Sequence, residues 1–468
     1  MKLGKKKNSG SFEGVALRGI TKEYKETELL IEGKLPHWIK GTFVRNGPAY
    51  FCTDTSSVSH WFDGLAMLHS YTIEDGKCIY SNRFLETNAL QQMKEGIISG
   101  GFSETTPIFF EKIEHEFHPY RPNANVHTAR FNKEYVALTE DPTPVTFDLK
   151  SLETKGIFTF EDTLSEKKYY ESAHVHICDE ETYSYLVEIG KESAYVLYKL
   201  VGNSRQLIAR IPIDTPSYVH SFSTTEKYLI FVEYPFVIDF KKIMEGRGFI
   251  RCFEWQKDLG SHFYVVDRKT GHLVSKVKGP PFFSFHHINA FEKGGEILVD
   301  LISYSHSDMI FGKETPDSGI KRYSVPLDGT PAKELFCIPI NGADLPRIHY
   351  EKYNGKPYRY VYAVDLCTHL KSEQKTPPLL KVDMEMQTVA TYSIPAYFPS
   401  EPIFIPNPEG MTEDDGAILS VMTRGDHSQS FLLILDGKSF KEIGRASLPH
   451  GVPQGLHGNF FPASDDTP

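Results

Sequence analysis

The sequence predicts an all-β protein arranged as a propeller of six or seven blades, and three observations carry that expectation. Short β-prone segments broken by Gly, Asp, Asn and Pro recur throughout, among them "AYVLYKLV", "YLIFVEYP", "FYVVDR", "EILVDLISY", "AILSVMT" and "FLLILDG". Long helical periodicity is rare beside them. Four stretches also repeat one form, a strand ending in aspartate, a few polar residues and a second strand: "VTFDLKSLETKGIFTF" at Asp148, "YVVDRKTGHLVSKV" at Asp267, "LKVDMEMQTVATYSI" at Asp383 and "LILDGKSFKEIGRASL" at Asp436. In each, the aspartate is suited to cap the turn by accepting from nearby backbone amides. The intervals from Asp148 to Asp267 and from Asp267 to Asp383 are each about twice that from Asp383 to Asp436. The repeating unit is therefore about 50–60 residues, the size of a four-stranded blade. A pair of β-sandwiches with ordinary hairpins would answer to the same repeat.

Taken in order, the chain opens with "MKLGKKKNSGS", which is basic but followed by no apolar stretch, unlike a secretory signal. Residues 1–15 are expected as a flexible tail and residues 16–468 as a single propeller domain. The stretches 86–120 and 235–258 break the strand rhythm and are expected as insertions on one face. No run approaches the ~18 apolar residues of a membrane-spanning helix, and no Pro- or Ser-rich linker divides the chain. Six scattered cysteines without a CxxC pair fit neither a zinc framework nor a disulfide scaffold, which points to a reducing, cytoplasmic setting. Fifty-one Lys and Arg against 61 Asp and Glu give a net charge of -10, which argues against a nucleic acid partner. The aromatic share of 13% suits aromatic-rich blades or an apolar tunnel.

Most of the 19 histidines need no special explanation, and His37, His69, His115, His118, His262, His272 and His369 lie in polar or turn-like surroundings. Four others lie in short β-like segments flanked by aromatic and small residues: His174 in "ESAHVHI", His220 in "PSYVHSF", His286 in "FSFHHINAF" and His457 in "QGLHGNFFP". They are too far apart for a local metal motif such as HExxH. A radially repeated architecture could bring them together, because the inner strands of successive blades converge on a central channel. The pair His286–His287 raises its own question. Successive side chains of a strand point to opposite faces, so the two cannot serve one centre.

These segments resemble the carotenoid cleavage oxygenase family, in the branch of the animal β-carotene oxygenases and the retinal pigment epithelium retinoid isomerase. The resemblance runs from "GTFVRNGPAYF" through "HWFDGLAMLHSY", "SAHVHI", "PSYVHSF", "FHHINAFE" and "FPSEPIF" to "LHGNFFP", about nine-tenths of the chain. It implies a seven-bladed β-propeller with a helical and loop cap over an axial non-haem Fe(II) held by four histidines. By motif position these are His174, His220, His286 and His457, which leaves His287 a structural role and prefers His174 to His176. Neutral imidazoles suit ferrous iron, and four of them leave positions for dioxygen and solvent. The resemblance also implies outer carboxylates that accept from the imidazole N–H groups, at Glu140 in "ALTED", Glu401 in "PSEPIF" and Asp344 in "GADLPRIHY". Asp344 is one methylene shorter than the family's glutamate, so either the backbone sits closer or a water bridges.

The implied reaction is dioxygen-dependent scission of one C=C bond of an apolar polyene, a carotenoid or apocarotenoid, to carbonyl products. Central 15,15' cleavage of β-carotene to retinal is the leading expectation. Thr139, Tyr304 and Leu345 are implied for the tunnel wall. A retinoid isomerase or isomerohydrolase, a stilbenoid-cleaving dioxygenase and a non-catalytic propeller binding protein are the competing expectations. A bilayer-dissolved substrate calls for peripheral membrane contact, for which "TTPIFFEKIEHEF" and "EYPFVIDFKKIMEGRGFIRCFEWQ" combine apolar and basic residues.

Overall fold

The computed structural model describes residues 18–98, 101–103, 122–162, 164, 169–178, 181–311, 316–366 and 376–463. The expected tail of residues 1–15 and the whole of the "TTPIFFEKIEHEF" segment lie outside them. Among the described residues, seven antiparallel sheets of four to six strands, together with a two-stranded ribbon, account for the strands. This is the strand arrangement of a seven-bladed β-propeller, as expected, and it removes the paired sandwiches from consideration.

Each aspartate of the repeat joins the last two strands of one sheet. Asp148 Oδ1 accepts from Lys150 N–H and Ser151 N–H (3.2 and 2.9 Å), Asp267 Oδ1 from Lys269 and Thr270 (3.0 and 2.8 Å), and Asp383 Oδ1 from Glu385 and Met386 (3.1 and 3.0 Å). Asp436 Oδ1 accepts from Ser439 N–H at 2.7 Å. The doubled intervals have a concrete cause. One intervening sheet turns between Ser193–Val201 and Ser204–Ile213 through Gly202, at φ +59°. The other turns through the longer loop between Ser318–Pro326 and Lys333–Pro339. The first has no aspartate at the turn, and in the second Asp328 accepts from Thr330 N–H at 2.9 Å but stands two residues past the strand end, so the strand-ending form is visible only at every second blade there.

The chain forms two compact units: residues 1–139, 144–158 and 360–468, and residues 140–143 and 159–359. In the first, the strand Gly458–Pro462 pairs with Gly41–Pro48, so strands from the early and late parts of the described residues build one sheet. Its core collects Val44, Leu68, Val145, Phe147 and Leu152. In the second, Tyr185, Tyr195, Tyr264 and Tyr304 are fully buried. Asp300 lies buried there against Arg322 (Oδ1–Nε and Oδ2–Nη2 both 2.8 Å) and accepts from the Tyr358 hydroxyl at 2.7 Å. Burial of such a charge is tolerable only with these partners in place.

Among the described residues the α-helices are short: Asn88–Lys94, Phe240–Met244 and Tyr350–Tyr353. The first falls in the expected 86–120 insertion. The second belongs to the 235–258 insertion, whose ribbon Phe236–Ile238/Phe253–Trp255 interrupts a sheet between its second and third strands. No helix among them is long and apolar enough to cross a membrane.

One buried acid yields a stability prediction. Glu171 ends the strand Tyr169–Glu171, and burial pushes its carboxyl up to about 7 despite the donating Tyr198 hydroxyl. A carboxyl raised in the folded state holds its proton after the unfolded chain has released it. Stability is therefore fullest below pH ~4.5 and is lost as pH rises towards 7. The loss from this group is about 3 kcal/mol. Glu171→Gln removes that pH dependence. The variant should match the native protein near pH 4.5 and exceed it in denaturant unfolding at pH 8. Parallel pH curves for the two would refute the assignment.

Candidate metal centre

Each of the four singled-out histidines occupies the same kind of place, just ahead of an end strand of its sheet. His174 precedes His176–Cys178, His220 precedes Ser223–Thr224, His286 directly precedes His287–Lys293, and His457 directly precedes Gly458–Pro462. One ring nitrogen from each lies within 4.8 Å of the others. His174 and His220 approach to 3.0 Å between Nε2 atoms. The ring centroids of His174, His220 and His286 are 4.7, 5.0 and 5.0 Å apart.

Local structure explains why these rings stay put. The Ser172 hydroxyl donates to the His220 carbonyl at 2.6 Å and accepts from His174 N–H at 3.1 Å, tying two segments at once. The His286 carbonyl accepts from Ile302 N–H at 3.0 Å, and a register shift between His287 and Asn289 follows at once. An extra residue at such a point turns the strand and re-aims its side chains. His457 is held through its backbone, its N–H donating to Val126 C=O (3.0 Å) and its C=O accepting from Asn46 N–H (2.8 Å).

The outer nitrogens of three rings meet carboxylates. His220 Nδ1–H donates to Glu140 Oε1 at 2.7 Å, His286 Nδ1–H to Asp344 Oδ1 at 2.5 Å, and His457 Nδ1–H to Glu401 Oε1 at 2.8 Å. Asp344 thus reaches its imidazole directly, without a bridging water. The reason lies in the next residue. Leu345 is buried in the left-handed region at φ +52°, and its own N–H turns back to Asp344 Oδ1 at 2.8 Å. That conformation costs a non-glycine residue about 1–2 kcal/mol. Burial alone would push the Asp344 carboxyl up, but the His286 ring, the Tyr304 hydroxyl and the Leu345 amide hold it below the usual range. Burial lowers His220 against the opposing pull of Glu140.

This donor set fits a divalent transition metal. With Nδ1–H given to a carboxylate, the Nε2 of His220, His286 and His457 carries the lone pair. Imidazole nitrogens ordered in that way by outer carboxylates are the donors such an ion takes.

The two neighbouring histidines are accounted for differently. His287 lies between the Ser223 hydroxyl (2.8 Å) and the Tyr234 hydroxyl (3.1 Å), and burial lowers it to about 3. His176 donates from Nε2 to Phe222 C=O (2.9 Å) and accepts at Nδ1 from the Tyr350 hydroxyl (2.8 Å). Both ring nitrogens of each are engaged elsewhere. The geometry therefore separates His174 from His176, which a shared strand face could not.

Of the remaining expected residues, Thr139 ends the strand Glu134–Thr139 and is half-buried, while Tyr304 and Leu345 are buried. Sequence reasoning missed Tyr218, which is fully buried and donates its hydroxyl to Glu140 Oε1 at 2.7 Å. Its place two residues before His220 was the one available hint. The 235–258 insertion packs Phe236, Phe249 and Phe253 around the Tyr218 ring, with centroids 5.7–6.2 Å away.

Residues 17–462 match the family model described as retinal pigment epithelial membrane protein. The chain is 29% identical to the β,β-carotene 15,15'-dioxygenase of Gallus gallus, over 93% of this chain and 95% of that protein. It is 30% identical to the chloroplastic carotenoid cleavage dioxygenase 8 of Arabidopsis thaliana, over 96% and 86%. A solved Synechocystis apocarotenoid oxygenase superposes with a TM-score of 0.84 over 98% of this chain and 100% of that one, at 23% identity.

Proposed function

This chain belongs to the carotenoid cleavage oxygenase family of enzymes, and we propose that it is a ferrous dioxygenase cleaving one C=C bond of a carotenoid or apocarotenoid to carbonyl products. Central 15,15' cleavage of β-carotene is the specific reaction proposed, on the strength of the Gallus gallus relative. The observation that carries the reading is the convergence of His174, His220, His286 and His457 with their carboxylates.

Ferrous iron held by the four imidazoles would supply the activation of dioxygen that the scission needs. The chain's own work is to hold and to exclude. Glu140, Asp344 and Glu401 fix the ring directions and offset part of a metal's charge. Phe285 sets its ring edge against His220 (centroids 5.2 Å) and contacts Phe283 (4.9 Å), which keeps that side of the cluster apolar. No general acid or base is assigned, because the scission moves no proton between protein and substrate. Thr139, Leu345 and the ring face of Tyr304 are proposed for the substrate channel, where position selects the double bond that reacts. We also propose peripheral membrane contact through the helix Phe240–Met244. Phe240 is 41% and Met244 82% exposed, beside the exposed Lys241, a pairing of apolar and basic groups that suits an anionic lipid surface.

The test is product analysis of the iron-loaded protein with β-carotene in detergent, under air and under argon. Retinal under air alone is the expected result. Longer apocarotenals would keep the oxygenase and move the bond. No cleavage of β-carotene in either gas, with a retinyl ester isomerised under argon, would contradict the dioxygenase and favour isomerase chemistry.

A further inference from the structure

The carboxylates that orient the histidines are themselves held, and in two of three cases by a buried phenol. Tyr304 donates its hydroxyl to Asp344 Oδ2 at 2.7 Å, while Asp344 Oδ1 accepts from His286 Nδ1–H and Leu345 N–H. The Ala343 carbonyl is the weaker alternative for the Tyr304 proton, at 3.1 Å. Tyr218 donates to Glu140 Oε1 at 2.7 Å, the same oxygen that takes the His220 proton, and its hydroxyl lies 3.2 Å from His220 Nδ1. At Glu401 the backbone does this job: Gly458 N–H donates to Oε2 at 2.9 Å. All these groups are buried or nearly so.

We propose that Tyr304 and Tyr218 are positioning residues of the metal centre, each phenol locking the carboxylate that directs a histidine ring, through the contacts Tyr304–Asp344–His286 and Tyr218–Glu140–His220. A carboxylate bound to one imidazole through one oxygen can still rotate about its last carbon–carbon bond. A second donor removes that freedom. The need is sharpest at Asp344, whose short side chain meets His286 only in one rotation, with Leu345 held in a left-handed conformation beside it. A phenol donating to the carboxylate also withdraws charge from it, so the imidazole N–H is pulled less strongly. Metal affinity and the electronic character of the bound ion are thereby set from two bonds away.

The proposal rests on the reading of the four histidines as a metal site, and the test keeps the two separable. The full-length metal-free protein is titrated with Co(II), following visible absorption, for the native chain, Y304F and Y218F, and for Y304F in a D344N background. The native chain should bind one Co(II). Y304F and Y218F should each weaken binding by about tenfold, the lower end of what outer partners contribute, and shift the absorption bands. In the D344N background Y304F should add no further loss, because its effect runs through Asp344. Failure of the native chain to bind Co(II) would sink the metal-site reading itself. Native binding with unchanged affinity and bands in Y304F and Y218F would overturn the proposal alone. So would an equal loss from Y304F with and without Asp344, or a raised KM at unchanged affinity, which would make Tyr304 a wall of the substrate channel only. Should Y304F fail to fold, Y218F against E140Q decides by the same comparison.

Discussion

His286→Ala leaves the protein folded, without stoichiometric iron, and with turnover reduced by more than about 100-fold. Loss of an outer carboxylate partner alone costs such sites 10–100-fold, and removal of a direct donor exceeds it. The fold should survive because the backbone contacts that place this segment are independent of the ring: the carbonyl of residue 286 still accepts from Ile302 N–H, and Ser221 still accepts from His287 N–H at 2.9 Å. Asp344 then keeps Tyr304 and Leu345 as donors, so the buried carboxylate is not orphaned. Metal analysis of the purified variant, with its circular dichroism and melting curve, checks the three parts together. His287→Ala is the control that distinguishes ligand from neighbour. It removes contacts to Ser223 and Tyr234, so it should lower the melting temperature and leave iron stoichiometry at the native value.

The second large effect is at Asp344. Asp344→Ala removes the partner that fixes His286 and should cost 10–100-fold in iron affinity or kcat. The more discriminating change is Asp344→Glu, which restores the residue the family resemblance implies. It should not act as a gain. The 2.5 Å contact already leaves no room between carboxylate and imidazole, and an added methylene in a packed interior costs about 1–3 kcal/mol. The variant should therefore melt lower than the native protein and bind iron no better. Higher affinity with native stability would show instead that the backbone at Leu345 relaxes freely and that the short aspartate is not required there.

What could be read from the sequence was local or periodic. Asp148, Asp267, Asp383 and Asp436 announced their hairpins because an aspartate caps a turn through amides two or three residues away, and no distant partner is involved. The four histidines were legible as a set because each stands before an end strand in a recognisable motif. Between His286 and His287, alternation showed that one must be excluded and the family pattern chose which. Between His174 and His176 alternation is silent, and the separation comes from Tyr350 and the Phe222 carbonyl, 174 and 46 residues from His176. Reach is a tertiary property. Nothing in "GADLPRIHY" shows that Leu345 adopts a positive φ, so a direct bond from Asp344 could not be told from a bridged one. The hydroxyls of Tyr218 and Tyr304 find carboxylates 78 and 40 residues away. In the sequence they are two aromatic residues among 57 Phe and Tyr.

The most direct measurement of the four-histidine centre is a crystal structure of the iron-loaded protein, with anomalous diffraction collected on both sides of the iron absorption edge. The expected result is one strong iron peak enclosed by the Nε2 atoms of His174, His220, His286 and His457, with the Nδ1 atoms of the last three still on Glu140, Asp344 and Glu401. A peak elsewhere, or one that leaves any of the four rings unbound, would contradict it.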